Sequence, residues 1–400
     1  MTNPYGFEPF DFRGDVNAHT FKMFLKHCAD AGASDILVQG GDHAWAQIYG
    51  RQCKASLSTI KQGQLDPLIA AVWKAEVSDN IRKGQGADRP LELAGEELGI
   101  ERGRFIRFRC NFIQARVARQ EQAYSITMRT IPSELPKIAD MKIEDELFEA
   151  FYPGMGLVLV CGPTGSGKTT LQAAVYGYAG IAMPDRKVIT YEDPIEFVLG
   201  GAHWHGPQPA QSQIGRDIGS FALGLKNAMR RAPSIIGIGE ARDLETIDAM
   251  IEAGLTGHLC YATVHTESVA ETINRVIQVY PPAQQSAVAS RLIGALRVIV
   301  VQRLLKTTDG KRQSIREYVL FDRELKNEMQ EAGYEKWGAI LRSKLHAQKG
   351  TMAHRAWELY KAGRIDKAEF IELSDHKTYN QFTKDDAEAK IETKLHVENA

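Results

Sequence analysis

The sequence predicts an α/β fold with a parallel sheet in its second half, preceded by a smaller α+β domain. Residues 156–161 (GLVLVC) are continuously apolar, as strands buried on both faces of a parallel sheet are. Further strand-like runs at residues 187–191, 234–239 and 259–264 alternate with helical stretches. This alternation is typical of domains in which helices cover a parallel sheet.

The composition indicates a globular protein. A chain of 400 residues with 44% apolar and 25% charged residues suits two or three domains. Lys and Arg number 49 against 50 Asp and Glu, so the near-neutral charge argues against direct nucleic-acid binding. The 5 cysteines form no CxxC pair, which disfavours a zinc site and fits a reducing compartment. Without a leader pattern or an apolar run of about 18 residues, we expect a cytoplasmic protein with no integral membrane segment.

In the first half, apolar residues follow Asn17 at helical spacing until Gly32, and strand-like runs cover residues 35–39, 45–49 and 104–112. Two prolines in the stretch IPSELPK indicate a linker. From about Arg323 the chain is helical and charged, and its end is polar. We therefore predict an N-terminal arm (1–16), an α+β domain (17–131), a linker (132–145), an α/β domain (146–310), a helical C-terminal segment (311–375) and a mobile tail (376–400).

A glycine-rich motif follows the apolar strand and precedes a helix. It fits the pattern G-x-x-x-x-G-K-[ST] of phosphate-binding loops. Glycines let consecutive N–H groups face a phosphate, the lysine adds a positive charge, and the threonine offers a hydroxyl to Mg²⁺. The alternative is a glycine-rich turn with a surface lysine. The predicted nucleotide-binding residues are Gly162, Pro163, Thr164, Gly165, Ser166, Gly167, Lys168, Thr169 and Thr170.

Two acidic residues follow other predicted strands. Glu192 ends the run VITYE and Glu240 follows the run IIGIG. Because parallel strands bring their carboxyl ends to one edge, both should lie near the phosphate loop, where carboxylates hold Mg²⁺ and orient water. The alternative is that these acids are helix caps or solvated loop charges.

The next predicted strand has a histidine at each end, His258 and His265. Their seven-residue separation disfavours a shared metal and predicts opposite faces or opposite ends of the strand. His265, at the carboxyl end, is a candidate to sense the γ-phosphate. The alternative for it is a packed core histidine.

Arginines are candidates to neutralise charge in a phosphoryl-transfer transition state. Those singled out are Arg104, Arg107 and Arg116 in the first domain and Arg230 before the third strand of the second domain. The alternatives are solvated surface charges or, for the first cluster, nucleic-acid contact. The aromatic residues of that cluster are predicted to face the core rather than to stack on bases; they are Phe105, Phe108 and Phe112.

Four motifs in this order resemble those of one family: GPTGSGKTT, YEDPIEF, NAMRRAPSIIGIGEARD and AGLTGHLCYATVHT. They look like the Walker A, Asp box, Walker B and His box of the type II/type IV secretion ATPase superfamily, which includes the PilT-like and GspE-like ATPases. The sequence EARD and the segments 316–322 (REYVLFD), 348–350 and 362–365 resemble the DotB/TraJ branch, which serves type IVB secretion and IncI-type conjugation.

The resemblance implies a RecA-like P-loop ATPase domain after a PAS-like α+β domain, in a homohexamer that hydrolyses ATP with Mg²⁺. It makes Glu240 the Walker B acid and a Mg²⁺ ligand with Thr169, favours Glu192 as the base, and places His265 near the nucleotide. Arg104, Arg107, Arg116 and Arg230 are then the arginine candidates. The implied partners are inner-membrane secretion or conjugation proteins, with the ring peripheral to that membrane.

Two other functions are open at this point. A nucleic-acid translocase or remodelling ATPase would share the phosphate loop and paired carboxylates, and the neutral charge argues against it. A kinase or nucleotide-dependent switch would leave the acidic and histidine motifs unexplained, and no N-K-x-D guanine-specificity motif is present.

Overall fold

The computed structural model describes residues 6–102, 104–118, 120–131 and 134–398. The chain divides into two compact units, Met1–Glu134 and Leu135–Ala400. The described part of the chain includes no helix that combines the length and the apolar character needed to cross a bilayer.

The first unit is built on an antiparallel sheet of six strands in the order β3-β2-β1-β6-β5-β4. A 3-10 helix covers Glu96–Leu98. In chain order the elements are α1 (Ala18–Asp30), β1 (Ala33–Gln39), β2 (Asp42–Ile48), β3 (Arg51–Ile60), α2 (Gln62–Val72), α3 (Ala75–Arg82), β4 (Ala87–Leu93), β5 (Ile106–Val117) and β6 (Gln120–Ile131).

Helix α1 forms where the apolar spacing predicts it. The Asn17 side chain accepts hydrogen bonds from the first free N–H groups of the helix, which caps its start. The apolar positions Phe21, Phe24 and Cys28 are fully buried against the sheet. Gly32 has φ +77°, a left-handed conformation that suits glycine after a helix end.

Two predictions for the first unit are wrong. The N-terminal arm is part of the unit over its described residues, because Phe7 and Phe12 are buried and the backbone of Phe10 pairs with β3. Phe105 lies outside β5 and is 37% exposed, whereas Phe108 and Phe112 are buried as predicted. A short aperiodic aromatic stretch does not reveal the residues on which it packs, so its sequence does not predict that the arm belongs to the core.

The second unit is built on a sheet of seven strands in the order β13-β12-β7-β11-β10-β8-β9, parallel except for β13. Two 3-10 helices cover Ile138–Met141 and Tyr334–Lys336. In chain order the elements are α4 (Asp145–Ala150), β7 (Gly156–Cys161), α5 (Lys168–Ala182), β8 (Val188–Glu192), β9 (Ala210–Gln213), α6 (Phe221–Ala228), β10 (Ile235–Ile238), α7 (Leu244–Leu255), β11 (Leu259–Val264), α8 (Val269–Gln278), α9 (Pro282–Ala295), β12 (Leu296–Lys306), β13 (Arg312–Leu320), α10 (Arg323–Ala332), α11 (Trp337–Ala347), α12 (Met352–Lys361), α13 (Lys367–Leu373) and α14 (His376–Glu398).

The predicted α/β fold is confirmed in the second unit. Every residue of β7, β10 and β11 is buried, as the continuous apolar runs predict for central parallel strands. Separate apolar clusters fill the space on the two faces of the sheet. Because β7, β8, β10 and β11 are parallel neighbours, the residues that follow them meet at one edge of the sheet.

Three boundaries differ from those predicted. Residues 312–320 extend the sheet as β13, where a helical segment was expected from residue 311. In the predicted linker, Ile138 packs on the core of the second unit, while Pro132 and Ser133 lie outside the described residues. The predicted mobile tail begins as α14, whose Tyr379 and Phe382 pack around Trp357. Ile138 and α14 pack on residues that are not their neighbours in sequence, whereas β13 pairs with β12, the strand directly before it in the chain.

Candidate active site

The phosphate-loop motif forms the turn between β7 and α5. Gly162, Gly165 and Gly167 have φ values of +140°, +78° and +83°, which side chains other than glycine rarely adopt. A Cβ atom on Gly162 would lie 2.3 Å from the backbone oxygen of Gln302. The backbone conformation of the loop therefore favours glycine at all three positions, and the close approach of Gln302 on β12 also excludes a Cβ at Gly162.

Lys168 is the first residue of α5 and is buried. Its Nζ donates hydrogen bonds to the carbonyl oxygens of Gly162 at 2.8 Å and Pro163 at 2.9 Å, so the ammonium group lies inside the loop. Burial lowers the pKa of Lys168, and the carboxylates of Glu240 and Glu196 partly oppose this shift. The charge therefore lies where it would meet phosphate oxygens.

The rest of the loop also suits a phosphate. Ser166 is 3% exposed and its Oγ has no hydrogen-bond partner, so a buried donor is available within the loop. Thr169 and Thr170 lie half-buried in the first turn of α5. The N-terminus of this helix favours an anion because its N–H groups are free and its dipole is positive there.

Glu240 and His265 lie together beyond the carboxyl ends of β10 and β11. The Nε2 atom of His265 is 3.7 Å from Oε1 of Glu240, and a guanidinium nitrogen of Arg242 is 3.9 Å from Oε2. The pKa of His265 is lowered, mainly by burial and then by the nearby charge of Lys168. His265 is 38% exposed at its side chain, so it lines the site edge rather than the core.

Glu192 ends β8 and is held by neutral donors. Its Oε1 accepts hydrogen bonds from Thr190 Oγ1 at 2.5 Å and from Gln211 Nε2 at 2.9 Å. Burial raises its pKa; these two hydrogen bonds oppose the shift, and the neighbouring charge of Glu196 adds to it. A carboxylate that binds a proton more readily than usual is better suited to act as a general base.

The two histidines of the β11 motif lie at opposite ends of that strand, one of the arrangements predicted. His258 precedes the first residue of β11 and His265 follows the last. Only His265 therefore reaches the edge that carries the phosphate loop.

Three of the predicted arginines lie in the first unit, and Arg230 lies in the second. Arg104 and Arg107 belong to the first unit, where they pair with Glu101 and Glu92, and Arg116 is an exposed residue of β5. Arg230 is exposed and follows α6, on the side of the sheet where β10 begins. Within one chain Arg230 thus lies at the edge opposite the phosphate loop.

The chemistry of the donors fits Mg²⁺ bound together with a nucleotide. The Thr169 hydroxyl and the Glu240 carboxylate are hard oxygen ligands, the type that Mg²⁺ prefers. Among the described residues no group of three or more His, Cys, Asp or Glu forms a metal cage. None is required, because Mg²⁺ at phosphate sites usually keeps several waters and takes one or two protein oxygens.

Three contributors to the site were missed at the sequence level. Glu196 interacts with Lys168, and Gln302 and Arg316 support the loop from β12 and β13. Gln302 and Arg316 are each 3% exposed. Gln302 directly follows the apolar run VIVV, which is a weak sequence signal, and Arg316 lies among other polar residues in SIREYVL, which gives none.

Comparison with known families supports the predicted resemblance. A family model described as "Type II/IV secretion system protein" matches residues 21–396. The chain is 31% identical to the type IV pilus retraction ATPase PilT of Pseudomonas aeruginosa over 310 residues, which is 77% of this chain and 84% of that protein.

Solved structures show the same fold. The X-ray structure of the ATPase DotB from Legionella pneumophila has a TM-score of 0.83 and 32% identity, covering 91% of this chain and 98% of that one. A crystal structure of the pilus retraction motor PilT with bound ADP has a TM-score of 0.75 and 28% identity, with the same coverage. The fold and the family resemblance predicted from the sequence are therefore confirmed.

Proposed function

We propose that this chain, which belongs to the type II/IV secretion system protein family, is a homohexameric motor that couples ATP hydrolysis to type IVB secretion, conjugative transfer or pilus dynamics. Its relatives are secretion and pilus ATPases, and the chain is an ATPase of that family. The single observation that carries the proposal is the phosphate loop of β7–α5 with Glu192, Glu240 and His265 at the same sheet edge.

Binding of ATP follows from the loop. The loop N–H groups and the helix N-terminus hold the phosphates, and Lys168 leaves the carbonyl oxygens of Gly162 and Pro163 to contact the β- and γ-phosphates. The Thr169 hydroxyl and the Glu240 carboxylate would hold Mg²⁺, which when bound would supply positive charge beside the phosphate oxygens. PilT, a relative, was crystallised with ADP, which supports a nucleotide at this loop.

Hydrolysis requires an oriented water molecule. We assign Glu192 as the base, because burial makes its carboxylate more basic and because Thr190 and Gln211 fix its orientation. We assign His265 to the γ-phosphate, because its Nε2 is 3.7 Å from Oε1 of Glu240 and it is near enough to Lys168 for the two charges to interact. The lowered pKa of His265 favours the neutral imidazole, which can donate one hydrogen bond to a phosphate oxygen without a full charge.

Arginines complete the transition-state stabilisation in this proposal. Arg104, Arg107 and Arg116 of the first unit are the candidates that close over the phosphates, and Arg230 is the candidate from a neighbouring subunit. The exposure of Arg104, Arg116 and Arg230 supports this role, because an exposed guanidinium can exchange a weak surface contact for a phosphate. The proposed partners of the ring are inner-membrane secretion or conjugation proteins on the cytoplasmic side.

The proposal is tested by ATP hydrolysis measured against protein concentration, with Lys168→Ala subunits mixed into wild type. A ring motor gives specific activity that rises cooperatively with concentration, and inactive subunits suppress it more than in proportion to their share. Flat specific activity and additive mixing would refute the ring. Stimulation of hydrolysis by DNA that disappears at high salt would favour a nucleic-acid translocase instead.

The assignment of the base is tested by two isosteric variants, Glu192→Gln and Glu240→Gln. We expect Glu192→Gln to bind Mg²⁺ and ATP normally but to hydrolyse ATP at least about 100-fold more slowly, the lower range for general-base catalysis. Glu240→Gln should instead weaken the Mg²⁺ dependence of ATP binding. The reverse pattern would exchange the two roles.

A further inference from the structure

The segment REYVLFD begins on β13 with a buried arginine, Arg316, whose hydrogen-bond acceptors are uncharged. The carboxylate of Glu144 is near enough to interact with its charge. Arg316 is 3% exposed. Its Nε donates to the amide oxygen of Gln302 at 2.9 Å, and one terminal nitrogen donates to Ser314 Oγ at 3.0 Å. Burying a guanidinium is costly, so its retention calls for a role that an apolar residue of similar volume would not fulfil.

The same guanidinium also contacts a turn near the start of the second unit. Its terminal nitrogens donate to the backbone oxygens of Met141 at 3.2 Å and Lys142 at 3.5 Å. Lys142 follows the 3-10 helix and has φ +48°, a left-handed conformation that is strained for a lysine. Arg316 therefore holds a strained turn by its carbonyl groups.

On its other side Gln302 contacts the phosphate loop twice. Its Nε2 donates to the backbone oxygen of Ser166 at 2.8 Å, and its own backbone oxygen approaches Gly162 so closely that no Cβ fits there. Ser166, Gln302 and Arg316 are all buried, so water does not compete for these bonds. A continuous path of hydrogen bonds thus runs from the loop through β12 and β13 to Met141.

We propose that Gln302 and Arg316 are positioning residues that couple the conformation of the phosphate loop to the turn at residues 138–142. This inference rests on the proposed binding of nucleotide at the loop. The amide of Gln302 is planar and is bonded at both ends, so a shift of the Ser166 carbonyl rotates the amide and displaces its oxygen from Arg316. Arg316 then transfers its hydrogen bonds among the carbonyl groups of the turn.

The test is hydrogen exchange by mass spectrometry on the full chain, with and without Mg²⁺ and ADP. In wild type we expect ADP to slow exchange in peptides that cover residues 162–170 and to change exchange at residues 136–145. Gln302→Glu keeps an acceptor for Arg316 and loses the donor to Ser166, so it cuts the path at one bond. In this variant the change at 162–170 should persist and the change at 136–145 should disappear.

Gln285→Glu is the matched control, because it makes the same change at a residue whose amide donates to the backbone oxygen of Tyr280 elsewhere in the second unit. It should leave both exchange changes as in wild type. A change at 136–145 that persists in Gln302→Glu overturns the coupling while leaving the proposed function intact. Absence of any ADP effect at 162–170 in wild type would overturn both the inference and the proposed nucleotide site.

A kinetic readout separates positioning from mere structural support. We expect Gln302→Glu to lower kcat by roughly 10- to 100-fold with KM for ATP within about threefold of wild type, because misplacement of catalytic groups affects the transition state. Arg316→Lys keeps the charge but loses the planar geometry, and should lower kcat in the same way. Wild-type kcat in either variant would contradict the proposed role.

Discussion

Glu317 joins the starts of two helices that are far apart in sequence, and its loss should loosen both. The residue lies on β13 and is 6% exposed. Its Oε1 accepts the N–H of Val269, the first residue of α8, at 2.9 Å, and its Oε2 accepts the N–H of Met352, the first residue of α12, at 3.1 Å. One carboxylate therefore satisfies two buried donors at two helix N-termini.

The substitution Glu317→Gln keeps the shape and turns one acceptor into a donor. One of the two N–H groups then faces an NH₂ group and loses its partner. Hydrogen bonds to charged groups contribute about 1.5–3 kcal/mol each, and relief of the buried charge offsets part of the loss. We expect the local free energy of opening at these helix starts to fall by about 2 kcal/mol, which is roughly a 30-fold change in equilibrium.

The assay is amide hydrogen exchange in peptides that cover the starts of α8 and α12. Exchange there should become roughly 30-fold faster in Glu317→Gln, while peptides from the first unit stay unchanged. Glu271→Gln is the matched control, because Glu271 accepts the N–H of Glu267 at the exposed start of α8. An acceleration under about threefold in Glu317→Gln, or an equal one in the control, would refute the reasoning.

Three other predictions each concern the surroundings of a single residue. Gly162→Ala would place a Cβ 2.3 Å from the backbone oxygen of Gln302. ATP turnover should fall at least about 100-fold while the circular dichroism spectrum stays unchanged. Turnover near that of wild type would contradict this prediction. Burial, with a smaller effect of Arg297, lowers the pKa of Lys326 to about 8 from 10.5. Between pH 8 and 10.5 Lys326 therefore carries a proton less often in the folded chain than in the unfolded chain. The free energy of unfolding should rise with pH over this range. In urea titrations at several pH values, Lys326→Met should reduce that rise. Phe382→Ala should lower the stability of the C-terminal helices by about 1–2 kcal/mol and speed proteolysis within α14, because its ring packs on Trp357; unchanged proteolysis would show that the contact is weak.

The core of the candidate site was predictable because polar residues follow apolar strands in a fixed order. Lys168, Glu240 and His265 each come after such a strand, and parallel strands bring their carboxyl ends together. The same rule separates the two histidines of the β11 motif. His265 follows β11 and reaches this edge, whereas His258 precedes β11 and does not. The roles of Glu192 and of the four candidate arginines stay predictions, because they depend on bound nucleotide and on neighbouring subunits.

The supports of the loop were not predictable from local pattern. Gln302 lies 136 residues from Ser166, and the two meet only because β12 pairs with β7. An apolar run predicts that a strand is buried, but it does not predict which strand lies beside it. The same limit applies to Arg316, whose acceptors at Met141 and Lys142 precede it by more than 170 residues.

The sequence by itself determined the parallel α/β fold, the phosphate loop and the identity of the acids and histidine at one sheet edge. These features depend on periodicity and on residue order, which are local properties of a chain. Only the tertiary structure decided that β13 extends the sheet, that Phe7 and Phe12 join the first core, and that α14 packs on Trp357. Strand β13 is held by its hydrogen bonds to β12, which the polar composition of its own residues does not reveal. The other two features depend on apolar surfaces assembled from other segments, and burial against such a surface stabilises short or polar stretches whose own composition predicts mobility.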